Sequence, residues 1–162
     1  MEIWDAYDKD FNKIKDVTLI RGNAILDGMY HLVSEIIVRH VDGTYLLMQR
    51  DYKKKFGGMW ELTSGGSALM GETSLECAKR ELKEETGIGS DNFREIKRII
   101  HDVHHTLYVL YLCITNCDKN SIELQDGETI AYKWVERDVL LNLSDDELVS
   151  QRAIQCVEEF NI

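Results

Sequence analysis

Proline is missing from all 162 residues, which excludes a stiff proline-rich linker. Cysteine is scarce. Cys77, Cys113, Cys117 and Cys156 form no C-x-x-C pair, so neither a zinc knuckle nor a thioredoxin-type redox motif is indicated. Free thiols in a cytoplasmic protein are the expectation. Long apolar runs are lacking too. None approaches the roughly 18 residues that span a bilayer, and the opening MEIWDAYDKDFNK is too polar for a signal peptide. No membrane partner is expected. Positive charge is in short supply, with 19 lysines and arginines against 29 acids and a formal net charge of −10. Such a surface repels a nucleic-acid backbone, so no nucleic-acid polymer is expected as a partner. A small anionic substrate fits only where positive charge is gathered locally. Internal repeats and low-complexity segments are absent as well.

What is present suffices for one core. Hydrophobic residues make up 44% of the chain and aromatics 9%, which suits a single domain over residues 1–162. Residues 1–20 are polar and turn-like and read as a hairpin-like extension. LVSEIIVRHV, Leu32 to Val41, is rich in β-branched residues and is followed by Asp42-Gly43 and TYLLMQR. Two apolar runs around Asp-Gly predict a hairpin. Further strands are predicted near Trp60 to Thr63, from Phe93, from His105 and over Ala131 to Glu136. Ser144 and Glu147 have the spacing of a capping box. They predict a terminal helix whose stripe is Leu148, Ala153, Ile154, Val157 and Phe160. The result is an α/β domain with helices covering a sheet.

The segment GGSALMGETSLECAKRELKEETGI, Gly65 to Ile88, holds the candidate chemistry. Thr73 and Glu76 make a capping box, and Gly87 stands where a helix stops. At about 100° per residue, Leu75, Ala78 and Leu82 share one side and are expected to pack on the sheet. Glu81, Glu84 and Glu85 crowd an adjacent flank beside Arg80, while Lys79 and Lys83 point elsewhere. Like charges one turn apart cost a helix roughly 0.2–0.5 kcal/mol per pair. Two readings of the spacing stay open: an acidic solvated face, or oxygen ligands for a hard cation such as Mg²⁺ or Mn²⁺.

Gly66, Glu72, Arg80, Glu81, Leu82, Glu84, Glu85, Gly87 and Ile88 fill all nine defined positions of the pattern G-x5-E-x7-R-E-U-x-E-E-x-G-U, where U is bulky and aliphatic. That pattern is the Nudix box, and the chain resembles Nudix hydrolases. The resemblance implies an α/β/α sandwich with a mixed β-sheet between helices, and cleavage of a phosphoanhydride in a nucleoside diphosphate linked to another group. It implies Mg²⁺ or Mn²⁺ held by Glu81, Glu84, Glu85 and the carbonyl of Gly65. Arg80 matches an arginine that orients a catalytic glutamate, and Glu72 a glutamate that steadies the helix start. Gly66 suits a backbone that turns sharply or approaches closely. The general base is left among Glu84, Glu81 and Glu128, the last from the loop QDGET.

WDAYDKDFNKI, MYHLVSEIIV and GGMWELT also resemble the branch containing isopentenyl-diphosphate isomerases and hydrolases like them. The isomerases need a cysteine in the segment after the tryptophan; WELTSGGSALM has neither Cys nor His. A third reading, a nucleotide sensor without chemistry, fits poorly with an intact box. Arg50, Lys53, Lys54 and Lys55 form the densest basic patch, with Arg50 and Lys53 as candidate substrate-binding residues. Trp60 and Phe56 read as core. In HDVHH, His101, Val103 and His105 would share one face of a strand. Asp8 to Leu19 lacks the glycine and final glutamate of a calcium loop. A homodimer through the N-terminal segment is a further expectation.

Overall fold

Alternating burial along the strands divides the core into two layers. The computed structural model describes residues 1–162. β1 (Ile3–Tyr7) and β2 (Lys13–Ile20) form an antiparallel hairpin, with Trp4, Ala6 and Leu19 as its own small core. One seven-stranded sheet contains β3 (His31–His40), β4 (Tyr45–Arg50), β5 (Trp60–Glu61), β6 (Thr63–Ser67), β7 (Phe93–His101), β8 (Thr106–Thr115) and β9 (Thr129–Val135). The helices are α1 (Ser74–Thr86), α2 (Arg137–Leu141) and α3 (Arg152–Glu159).

β3 and β8 pair in parallel from His31↔Thr106 to His40↔Thr115, and the other ladders are antiparallel. A parallel pair is buried on both faces. Ile36, Val38, Leu107 and Val109 meet Cys77, Ala78 and Leu82 of α1 on one face. Ile37, Leu47, Leu110 and Leu112 meet Leu140 of α2 and Ile154 and Val157 of α3 on the other. Each such side chain contributes on the order of 1.5–3 kcal/mol on burial. The expected mixed sheet between helices is therefore present.

The sheet splits where β3 and β4 diverge. They pair directly only at Arg39↔Tyr45, close to the Asp42-Gly43 turn. The segment carrying β5 and β6 then runs between them, β5 pairing with β4 and β6 with β3. Side chains at the ends of β3, β4, β5 and β6 consequently face an open cleft rather than another strand.

Four local expectations are corrected. The terminal helix starts at Arg152, not at Ser144. Ser144 does bond Glu147, but Trp60 N–H donates to the Glu147 carbonyl and Val149 N–H to the Trp60 carbonyl, drawing this stretch along β5 instead. HDVHH leaves the strand after His101 through a 3-10 turn over Asp102–His104, with His105 left-handed, so the histidines do not line one strand face. Leu75 remains 38% exposed, because it sits in the first turn of α1 at the margin of the sheet. Phe56, read as core, is exposed on the loop before β5, with Lys55 Nζ over its ring.

Candidate active site

Local hydrogen bonds set the start and stop of α1. The Thr73 side chain accepts from Glu76 N–H, the Glu76 carboxylate accepts from Thr73 N–H at 2.8 Å, and left-handed Gly87 closes the last turn on the Lys83 carbonyl. Glu72, just before the cap, accepts from Leu69 N–H at 2.9 Å and receives Arg80 through Nε at 2.7 Å and NH2 at 2.8 Å. Arg80 also donates to Glu81 at 2.6 Å, to Glu84 at 3.3 Å and to the Ser67 carbonyl at 3.1 Å. One guanidinium thus ties the loop, β6 and the acidic flank together. Glu72, foremost among its partners, holds Arg80 firmly protonated despite partial burial.

Glu85 differs from its neighbours. Its carboxylate accepts Gly65 N–H at 3.0 Å and has no cationic partner. Burial pushes its pKa up to about 8, against the lowering effect of the Gly65 N–H. Burial also raises the Glu81 pKa, with Arg80 opposing it. Gly65 is sterically required by neighbouring backbone, and a side chain at Gly66 would displace the Glu81 carboxylate. A Cβ on Gly65 would lie 2.0 Å from the Ser34 carbonyl oxygen, and one on Gly66 would lie 2.5 Å from Glu81 Oε1.

These groups line a cavity of about 570 Å³ in the split of the sheet. Seven of its side chains are glutamates (Glu2, Glu35, Glu61, Glu81, Glu84, Glu85, Glu128) and four are basic (Arg21, Arg50, Lys54, Arg80). Arg50 donates to Glu61 at 2.8 Å, and Lys54 pairs with Glu128. Lys53 stands outside the lining. Its side chain is exposed, its backbone N–H donates to Asp51 at 2.8 Å, and Lys54 lines the cavity instead. Cys77 packs inside, its thiol 3.4 Å from the Gly66 carbonyl, and burial pushes its pKa up to about 11. It does not line the cavity.

The sequence reading missed Glu35, Glu61, Glu2 and Arg21. Glu35 pairs with Arg152 of α3, whose guanidinium lies 4.1 Å from the centre of the Tyr108 ring. Its only advance signal is a charge inside the apolar run LVSEIIV.

The donor set suits a hard divalent cation. Carboxylates and a glycine carbonyl are oxygen ligands, the lining has an excess of acid, and Glu85 is a largely buried carboxylate without a counter-charge. No three acidic, imidazole or thiol side chains converge on one point, because Arg80 stands between Glu81 and Glu84 and holds both. The site therefore fits the ion in chemistry, with Arg80 occupying part of the space.

The sequence model for the NUDIX domain matches residues 29–155. The chain belongs to the Nudix hydrolase family. A Nudix hydrolase of Listeria innocua is 37% identical over 141 residues, spanning 86% of this chain and 83% of that protein. Among solved structures, DR0079 of Deinococcus radiodurans superposes with a TM-score of 0.75 at 16% identity, over 97% of this chain and 98% of the other. The Nudix domain of Shewanella oneidensis NrtR, solved with ADP-ribose, gives 0.64 at 17% identity, over 82% and 89%. At these identities the two structures support the Nudix fold alone. No helix is long and apolar enough to cross a membrane.

Proposed function

We propose that this Nudix hydrolase cleaves the phosphoanhydride of a nucleoside diphosphate linked to another group, with Mg²⁺ or Mn²⁺ as cofactor. The observation that carries this is Glu85, a largely buried carboxylate without a cation, at the edge of a cavity walled by Glu81 and Glu84. Glu81, Glu84, Glu85 and the Gly65 carbonyl would hold the ion. When bound, it supplies charge neutralisation of the pyrophosphate and acidifies water.

The chain's own residues do the rest. Arg80, anchored by Glu72, keeps Glu81 and Glu84 pointed at the cavity. Glu84 is 49% exposed and only loosely held, so it can take a proton from an attacking water, and Glu81 is the second candidate base. Glu128 is engaged by Lys54 and must leave that pair before acting as a base. Arg50 and Lys54 offer positive charge to phosphate oxygens on the opposite wall. The isomerase reading has no support here, since the nearest thiol, Cys77, is buried and turned toward a backbone carbonyl. The nucleotide class follows the chemistry of the cavity and the ADP-ribose held by the related Shewanella domain. All four cysteines are free, in keeping with a reducing cytoplasm. A homodimer would use a surface other than the inner face of the hairpin, which packs on its own chain; light scattering after size exclusion tests it.

The deciding assay incubates the protein and Mg²⁺ separately with nucleoside diphosphates, nucleotide sugars, ADP-ribose and isopentenyl diphosphate. Release of a nucleoside monophosphate is expected. Isomerisation of isopentenyl diphosphate with every nucleotide intact would overturn the proposal.

A further inference from the structure

The family match begins at residue 29, so the β1–β2 hairpin lies wholly outside it. The hairpin nevertheless reaches the active-site cavity. Ile3 pairs with Ile20 at its open end, which sets Glu2 and Arg21 side by side, and both line the cavity with the α1 glutamates.

This end of the hairpin is held in place. Met70 N–H donates to the Ile3 carbonyl at 2.9 Å and Gly71 N–H to Asp5 at 2.8 Å, on the loop that feeds α1. Trp4 stacks on His31 with centroids 4.4 Å apart. The Trp4 indole N–H donates to Glu2 at 2.7 Å, and Glu2 in turn receives one Arg21 nitrogen, NH1, at 2.8 Å. The remaining donors of the guanidinium stay free, and the side chain is 68% exposed.

On another wall, Lys54 keeps two donors beyond the one given to Glu128. Burial first, then the charges of Arg50 and Arg21, hold its pKa down. Arg21 and Lys54 line the same cavity, and each keeps donors beyond those given to Glu2 and Glu128. A negative group that enters the cavity therefore meets open donors from both side chains. A guanidinium with open donors matches phosphate oxygens.

We infer that Arg21 is a substrate-contacting, specificity-determining residue: with Lys54 it forms a clamp for an anionic group beyond the diphosphate that is cleaved, namely a further phosphate. Glu2 is its positioning residue. The inference rests on reading the cavity as a phosphoanhydride site and adds a preference for substrates with a longer phosphate chain.

The test uses the full chain and non-hydrolysable, methylene-bridged nucleoside di- and triphosphates with Mg²⁺, measured by calorimetry. Arg21→Ala should weaken the triphosphate analogue on the order of tenfold or more, the scale of a lost hydrogen bond to a charged group. It should change the diphosphate analogue by less than about threefold, since that ligand ends short of the clamp. Arg21→Lys should recover part of the loss, and Lys9→Ala, in the far turn of the hairpin, none of it. Glu2→Gln should weaken the triphosphate analogue less than Arg21→Ala does. In turnover, Arg21→Ala should raise KM for a nucleoside triphosphate while kcat holds. Equal weakening of both analogues, or of neither, overturns the clamp. A clamp that persists in a protein with no turnover of any nucleotide would instead defeat the hydrolase reading. Robust turnover with binding indifferent to Arg21 defeats the clamp alone, and a wild-type protein that binds neither analogue defeats both.

Discussion

The two sides of the cavity handle charge differently. On the sheet side each base has its own acid, Arg50 with Glu61 and Lys54 with Glu128. On the α1 side Glu72, Glu81 and Glu84 share the single Arg80, and Glu85 has no cation at all. Paired charges position themselves and remain available to an anion. A surplus of buried carboxylate is tolerated in a folded protein only by taking up protons or a cation. The imbalance of one wall thus points to a metal and the balance of the other to a phosphate, although both walls consist largely of the same residue types.

Removing the unpaired acid should have the largest effect. Glu85→Gln should lower turnover on the order of 10²–10⁴. It should also raise the melting temperature of chelator-treated protein, because a neutral amide replaces a buried carboxylate. Mg²⁺ should raise the melting temperature of the wild type and not of the variant. Wild-type turnover in Glu85→Gln would erase the distinction between the walls.

Arg80→Ala comes next. It leaves Glu72 and Glu81, both largely buried, without their shared partner, at a cost of about 1–3 kcal/mol in stability. Turnover should drop by at least about a hundredfold through loss of orientation. Urea unfolding and kinetics read the two effects separately.

On the balanced wall the expected effects are smaller and fall on binding. Lys54→Ala should raise KM roughly tenfold with kcat nearly constant, while Lys53→Ala should change neither. Equal effects at the two lysines would mean the inward and outward positions are not distinguished in solution.

His31, the first residue of β3 and stacked under Trp4 of the hairpin, supplies a pH-dependent prediction. Burial holds the His31 pKa at about 4, below its usual 6.5. Between those values the unfolded chain binds a proton that the folded one does not, so stability should be lost as pH falls from about 6.5 toward 4. His31→Gln should flatten that part of the stability curve. The smallest effect is expected at Cys77: Cys77→Ala should keep most activity, and a large loss with substrate-protected thiol labelling would revive a cysteine mechanism.

Short-range features were legible before any fold was known. The capping box of Thr73 and Glu76, the stop at Gly87 and the flank of Glu81, Glu84 and Glu85 follow from helical periodicity over one segment. Similar logic misled at Ser144, because the Ser144–Glu147 bonds close a turn as readily as they start a helix, and pairing with Trp60 decided between them. The lysine patch was visible as a patch, but only the packed loop shows that Lys54, paired with Glu128, turns inward.

The sequence by itself determined the α1 helix, its acidic flank and the nine-position pattern from Gly66 to Ile88, and through them the family. All depend on spacings within a couple of dozen residues, where backbone geometry dictates which side chains meet. The tertiary structure alone decided that β3 and β4 part to open a cleft, that Glu85 is buried and unpaired while Glu84 is not, that Glu35 meets Arg152 across 117 positions, and that Arg21 reaches the active-site cavity. Burial and long-range ion pairing are properties of the packed core, and no local pattern encodes which distant charge will stand opposite.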